Sequence, residues 1–210
     1  MTTSPNTPAS PQGAPETPDA LQARALDDLR YIRQTMEGAA SFTALSGWGG
    51  VAIGVTAFPA AYLADHATTH RLWMLVWLVE ALIGVVIGVG MTVRKARAAR
   101  QPLFGRPGRK FALTFATPMA AGAILTIALY YGGMVDILPG MWLLLYGTAF
   151  ATAGAFSIPT VPVMGLCFMV MGTAALATPS SAWLGNVFMV AGFGALHVVF
   201  GALIARKHGG

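Results

Sequence analysis

Two residues of this chain carry polar chemistry inside long apolar runs. Glu80 stands in VWLVEALIGVV and is the one acid within such a run. A carboxylate in hydrocarbon is costly unless it is protonated, paired or set against a water-filled cavity, so Glu80 is the first candidate for proton or solute transfer. His197, in FGALHVVFGAL, is the one histidine deep in a run. A neutral imidazole donates one hydrogen bond and accepts another, which suits a proton relay or a partner for Glu80. Measured from Arg94 and Arg206, the two sit at depths that differ by roughly 7 Å at 1.5 Å per helical residue, and only tilt would bring them together. The plainer reading makes Glu80 a neutral acid bonded between helices and His197 a packed polar residue.

A second set lies in Asp65-His66-Ala67-Thr68-Thr69-His70. Histidines four apart face one another on a helix, and with the adjacent Asp65 they offer a metal site if the segment is helical and a further ligand is found. Met164, Cys167, Met169 and Met171 are soft ligands by type, yet methionine is an ordinary gap-filler and the spacing matches no ligand set. The chain contains no His-Glu-x-x-His, phosphate-binding glycine loop or Gly-x-Ser-x-Gly elbow, so the sequence predicts neither an enzyme nor a cofactor.

What must position these groups is a membrane domain. The composition is 55% hydrophobic and 10% charged over 210 residues, with mean hydropathy +0.63, whereas soluble domains are roughly a quarter charged. A lone Cys167 forms no internal disulfide. About 20 apolar residues cross a bilayer, and six such spans are predicted at 41–64, 72–93, 111–133, 137–157, 158–178 and 183–205. Pro159 and Pro162 disfavour helix in the residues before them, so a tight turn separates the fourth span from the fifth.

Residues 1–19 are a Pro-, Thr- and Ser-rich tail without apolar periodicity, read as disordered. Over 20–38, Leu21, Ala25, Leu29, Ile32 and Met36 recur every three or four residues among charged ones. That is an amphipathic helix, which suits a protein partner or the chain's own bundle better than an anionic lipid surface. Asp19 is its expected N-cap. The membrane domain covers 39–205 and a short tail 206–210.

An even number of spans places twelve of the 13 Lys and Arg on one side and Arg71 alone on the other. The positive-inside rule makes the first side cytoplasmic, with both termini in. Arg94, Lys95, Arg97, Arg100, Arg106, Arg109 and Lys110 form a basic loop expected to contact anionic headgroups; nothing in it resembles a nucleic-acid module. Trp73, Trp77, Trp142, Trp183, Tyr130 and Tyr131 fall near outer ends, as interface anchors do. Gly50-x-x-x-Gly54, Gly84-x-x-x-Gly88 and the series Gly147, Ala151, Ala155 permit close helix approach, within the chain or in a homo-oligomer. Glu80-Ala-Leu-Ile-Gly84 aligns with His197-Val-Val-Phe-Gly201, hinting at a repeated hairpin.

The segments LDDLRYIRQTMEGAASFTALSGWGG (Leu26 to Gly50) and LHVVFGALIARKHGG (Leu196 to Gly210) resemble an uncharacterised family of small, six-span bacterial integral membrane proteins. The resemblance implies a bacterial cytoplasmic (inner) membrane location and transfers no catalytic residue. The expectation is an all-α integral membrane protein: a six-helix bundle of three hairpins behind a cytoplasmic amphipathic helix. Its expected role is noncatalytic, as sensor, scaffold or accessory subunit. The alternative is a small proton- or solute-transporting permease using Glu80.

Overall fold

The computed structural model describes residues 18–39, 42–100, 105–179 and 181–208. Most of the expected N-terminal tail lies outside them. The helices are α1 (Pro18–Ala39), α2 (Gly47–Asp65), α3 (His70–Ala98), α4 (Arg106–Tyr131), α5 (Leu138–Ala153), α6 (Thr160–Ala177), α7 (Ala182–Met189) and α8 (His197–His208), with a π-helical segment, Val190–Leu196, joining α7 to α8. No strand occurs among the described residues. The chain divides into one unit ending at Ala39 and a second beginning at Ala40.

Among the described residues, six helices are long and apolar enough to cross a membrane: Gly47–Asp65, His70–Ala98, Arg106–Tyr131, Val135–Phe156, Thr160–Ala177 and Trp183–His208. A multi-pass membrane protein requires such spans. Several boundaries differ from the sequence reading: α3 runs on to Ala98 and α4 starts at Arg106, so much of the predicted 94–110 basic loop is helical. The first span starts at Gly47 rather than 41, because Ser46 caps the helix by accepting the Gly49 N–H at 3.1 Å. The last continues through Lys207 to His208, so most of the predicted 206–210 tail is helical. The N-terminal helix begins at Pro18, a residue earlier than the expected cap Asp19. Proline suits a first helical position, where its missing N–H has no helical acceptor.

Helix packing rests on glycine, since lipid supplies no hydrophobic drive between spans. A Cβ on Gly54 of α2 would lie 2.6 Å from the Gly194 carbonyl, and one on Gly147 of α5 would lie 2.6 Å from the Gly165 carbonyl of α6. Gly50 meets Gly201 of α8 in the same way. These motifs are therefore spent on contacts within the chain. The Gly84 and Gly88 pair meets only the side chain of Ile53.

Along α3, one stripe faces inward: Trp73, Trp77, Glu80, Gly84, Gly88, Met91 and Lys95, at steps of four and three. The opposite face exposes Leu82, Val85, Val86 and Val89. One end of the bundle brings Thr68, Asp136 and Ser181 around one cleft. The other gathers residues 42–46, the Ser157 turn and the C-terminal end of α8. There Phe42 N–H donates to Phe156 O at 2.7 Å and Ser157 Oγ donates to Phe42 O at 2.6 Å. Lys95 Nζ donates to Leu45 O and to His208 O, each at 3.0 Å.

Candidate functional site

Glu80 is buried, and its partner is Thr56 of α2. Thr56 Oγ1 lies 2.8 Å from Glu80 Oε1 and also 2.8 Å from the Ile53 carbonyl. One hydroxyl proton serves one acceptor in full. Both contacts close when Glu80 carries a proton and donates to Thr56 Oγ1 while Thr56 donates to Ile53 O. Glu80 on α3 is thus an acid bonded between helices, through Thr56 of α2.

His197 is 2% exposed, and its Nε2 is 2.7 Å from Tyr146 Oη on α5. Nδ1 is buried and makes no hydrogen bond among the described residues. Tyr146 Oη is the donor when the ring proton sits on Nδ1. Nε2 then accepts from the Tyr146 hydroxyl. Phe115, Phe150, Phe168 and Phe193 enclose the pair, with ring centroids 4.8 to 6.0 Å from Tyr146. Glu80 and His197 thus have separate partners on separate helices. The suggested hairpin repeat does not extend to these pairings.

Two tryptophans read as interface anchors are internal donors instead. Trp77 Nε1 donates to Asn186 Oδ1 at 3.3 Å, and Asn186 Nδ2 donates to Ala61 O at 2.8 Å. Trp142 Nε1 donates to Thr126 Oγ1 at 2.8 Å, and its ring stacks on Trp73 at 5.7 Å. A buried indole N–H needs an acceptor, and these helices supply one. Trp183 and Tyr131 are exposed, as anchors would be.

The Asp65, His66 and His70 metal set fails on geometry. Asp65 ends α2 and His70 begins α3, so the two histidines share no helix face. His66 Nδ1 instead lies 2.8 Å from the Tyr62 carbonyl. Among the described residues no three His, Cys, Asp or Glu side chains form a metal-holding group. Asp65 and His70 do line a cleft of about 270 Å3, with Trp73, Asp136, Ser181 and Asn186. Asp136 and Asn186 were not picked out from sequence, although an Asn in an apolar run was a visible signal.

On α1, Leu21, Ala25, Leu29 and Ile32 are exposed, while the side chain of Met36 lies outside the described residues. Arg30 pairs with Asp27 at 3.2 Å on the helix surface. Of the basic loop, Arg94, Arg97, Arg100, Arg106, Arg109 and Lys110 are exposed. Lys95 is half-buried and turned to the carbonyls of Leu45 and His208.

No family model matches this chain, and no curated protein or solved structure matches it either.

Proposed function

We propose that the chain is a noncatalytic membrane protein that docks a protein partner through α1, acting as sensor, scaffold or accessory subunit. The observation that carries this reading is the apolar surface of α1, where Leu21, Leu29 and Ile32 are 54%, 62% and 52% exposed. Such a stripe at helical spacing is what a partner groove or helix takes up. The internal polar groups support the reading from the other side. Glu80, Asn186, Thr126 and His197 bond to partners on the chain itself, so they serve helix packing before any solute. The twelve of 13 basic residues on one side support a cytoplasmic side for α1 and both termini, and the two terminal segments favour a bacterial inner membrane.

The test is co-elution from native membranes in mild detergent. The full chain carries a stoichiometric protein partner, and Leu29→Asp with Ile32→Asp loses it without loss of the bundle. Equal co-elution with both chains overturns the reading; self-association alone makes the partner a second copy.

A permease remains the second reading because of the cleft. Its lining includes Asn186, which bonds Trp77, and Trp77 lies one helical turn from Glu80. That chain of contacts leads from the cleft toward the acid. Reconstituted flux that Glu80→Gln abolishes would favour it, and the absence of flux from the wild-type chain would end it.

A further inference from the structure

Beyond residue 39 the acids of the chain are Asp65, Glu80 and Asp136. Glu80 lies within the bundle, bonded to Thr56. The other two come from separate connections, Asp65 at the end of α2 and Asp136 in the short turn Val135–Ile137 before α5, yet both line the cleft of about 270 Å3. Among the described residues neither forms an ion pair or a hydrogen bond. Carboxylates gathered in this way repel each other, and each favours a cation beside it. Asp65 also closes a helix, where the partial negative charge of the last carbonyls disfavours an acid and draws a cation.

The rest of the lining decides which cation. His70 lines the cleft without completing a metal-holding group with the two acids. The starts of α3 and α7 also border it, but Thr69 Oγ1 accepts the Leu72 N–H at 3.1 Å and Ser181 Oγ accepts the Leu184 N–H at 3.2 Å. Those hydroxyls already serve as caps. Trp73, Val135 and Pro139 supply apolar wall, and Trp73 is fixed by its stack on Trp142 at 5.7 Å. An indole close to carboxylates is the setting in which ammonium ions bind. Asn186, 7% exposed in the same lining, accepts the Trp77 N–H at Oδ1 and keeps a second lone pair there for a further donor.

We propose that this cleft binds a small organic cation, its ammonium group on Asp65 and Asp136 and its hydrocarbon against Trp73, Val135 and Pro139. The volume lies just below the range of drug-sized pockets, so the ligand is an amine of a few carbons. Every lining residue belongs to α2, α3, α5, α7 or their connections. The site therefore does not depend on α1 docking a partner, and it serves a sensor as well as a permease.

The experiment titrates the full chain in mild detergent with choline and with butylammonium, each set against an uncharged analogue of the same shape. Calorimetry reads binding, and thermal unfolding reads stabilisation. At least one of the two cations binds and raises the unfolding temperature, and its uncharged analogue does neither. Asp65→Asn with Asp136→Asn weakens that binding by about tenfold. Without ligand the same variant unfolds no earlier than the wild type, because a repulsion has been removed, which separates lost charge from lost fold. Binding of neither cation overturns the proposal, as does equal binding of cation and analogue or binding indifferent to the two acids. Calcium ion that displaces the amine through the same acids overturns it too, and assigns them to a metal.

Discussion

Tyr146 Oη lies 2.7 Å from His197 Nε2, joining α5 to the start of α8 inside a shell of phenylalanines. With the ring proton on Nδ1, Nε2 accepts this bond from the Tyr146 hydroxyl. Removing the hydroxyl leaves a buried nitrogen without a donor. Tyr146→Phe is therefore expected to destabilise the bundle by about 1 kcal/mol. In a His197→Leu background the same change costs less, and a thermal-unfolding double-mutant cycle in detergent measures the difference. Additive effects would mean that the two side chains do not depend on each other.

Glu80 is expected to be a carboxylic acid: Thr56 Oγ1 has one proton for two acceptors at 2.8 Å, Glu80 Oε1 and Ile53 O, and a proton on Glu80 lets both contacts be made in full. Infrared spectra of the purified chain should show a protonated carboxyl C=O band that is absent from Glu80→Gln. Gln keeps a donor for Thr56, so the variant stays close to wild-type stability, whereas Thr56→Val loses about 1 kcal/mol. A spectrum with carboxylate bands alone at Glu80 contradicts the assignment.

The glycine contacts make sharply different predictions at positions that look alike in sequence. A Cβ on Gly201 would lie 2.5 Å from Val51 N, whereas one on Gly90 meets nothing within 4 Å. Gly201→Val should prevent assembly of α2 on α8, read as loss of the monodisperse peak in size exclusion. Gly90→Ala should be neutral or stabilising by roughly 0.5–1 kcal/mol. Equal tolerance at both positions would show that α2 and α8 are not in close contact.

Much of this architecture is legible in the sequence because lipid imposes long apolar runs, and the run lengths give the spans almost directly. The inward stripe of α3 is likewise written in the spacing of Trp73, Trp77, Glu80, Gly84 and Gly88. Pair assignments are not legible. Glu80 and His197 are each other's only conspicuous partners on the page of letters, yet Thr56 and Tyr146 take them, being brought there by helix packing that periodicity does not encode. The tryptophans mislead for the same reason. Trp near a span end is an anchor by frequency, but Trp77 and Trp142 face neighbouring helices that offer Asn186 and Thr126 as acceptors. The π segment was also invisible, since Val190–Leu196 reads as ordinary apolar helix.

Sidedness has its own check. With Cys167 replaced by Ser, single cysteines at Thr68 and at Ala98 should label from opposite faces of intact cells. Thr68 is expected to react with a membrane-impermeant maleimide from outside, and Ala98 only after permeabilisation. The reverse pattern would place α1 outside and remove the cytoplasmic partner from consideration.

The central claim is that α1 docks a protein, and photocrosslinking from Leu29 in living membranes tests it most directly, because Leu29 is 62% exposed on the apolar stripe. A photoreactive residue at Leu29 should give one discrete higher-mass adduct with a single protein, lost when Ile32→Asp is added and absent when the probe is moved to Leu82 of α3. A probe at Leu29 that yields no protein adduct, or the same adducts as Leu82, would contradict the account.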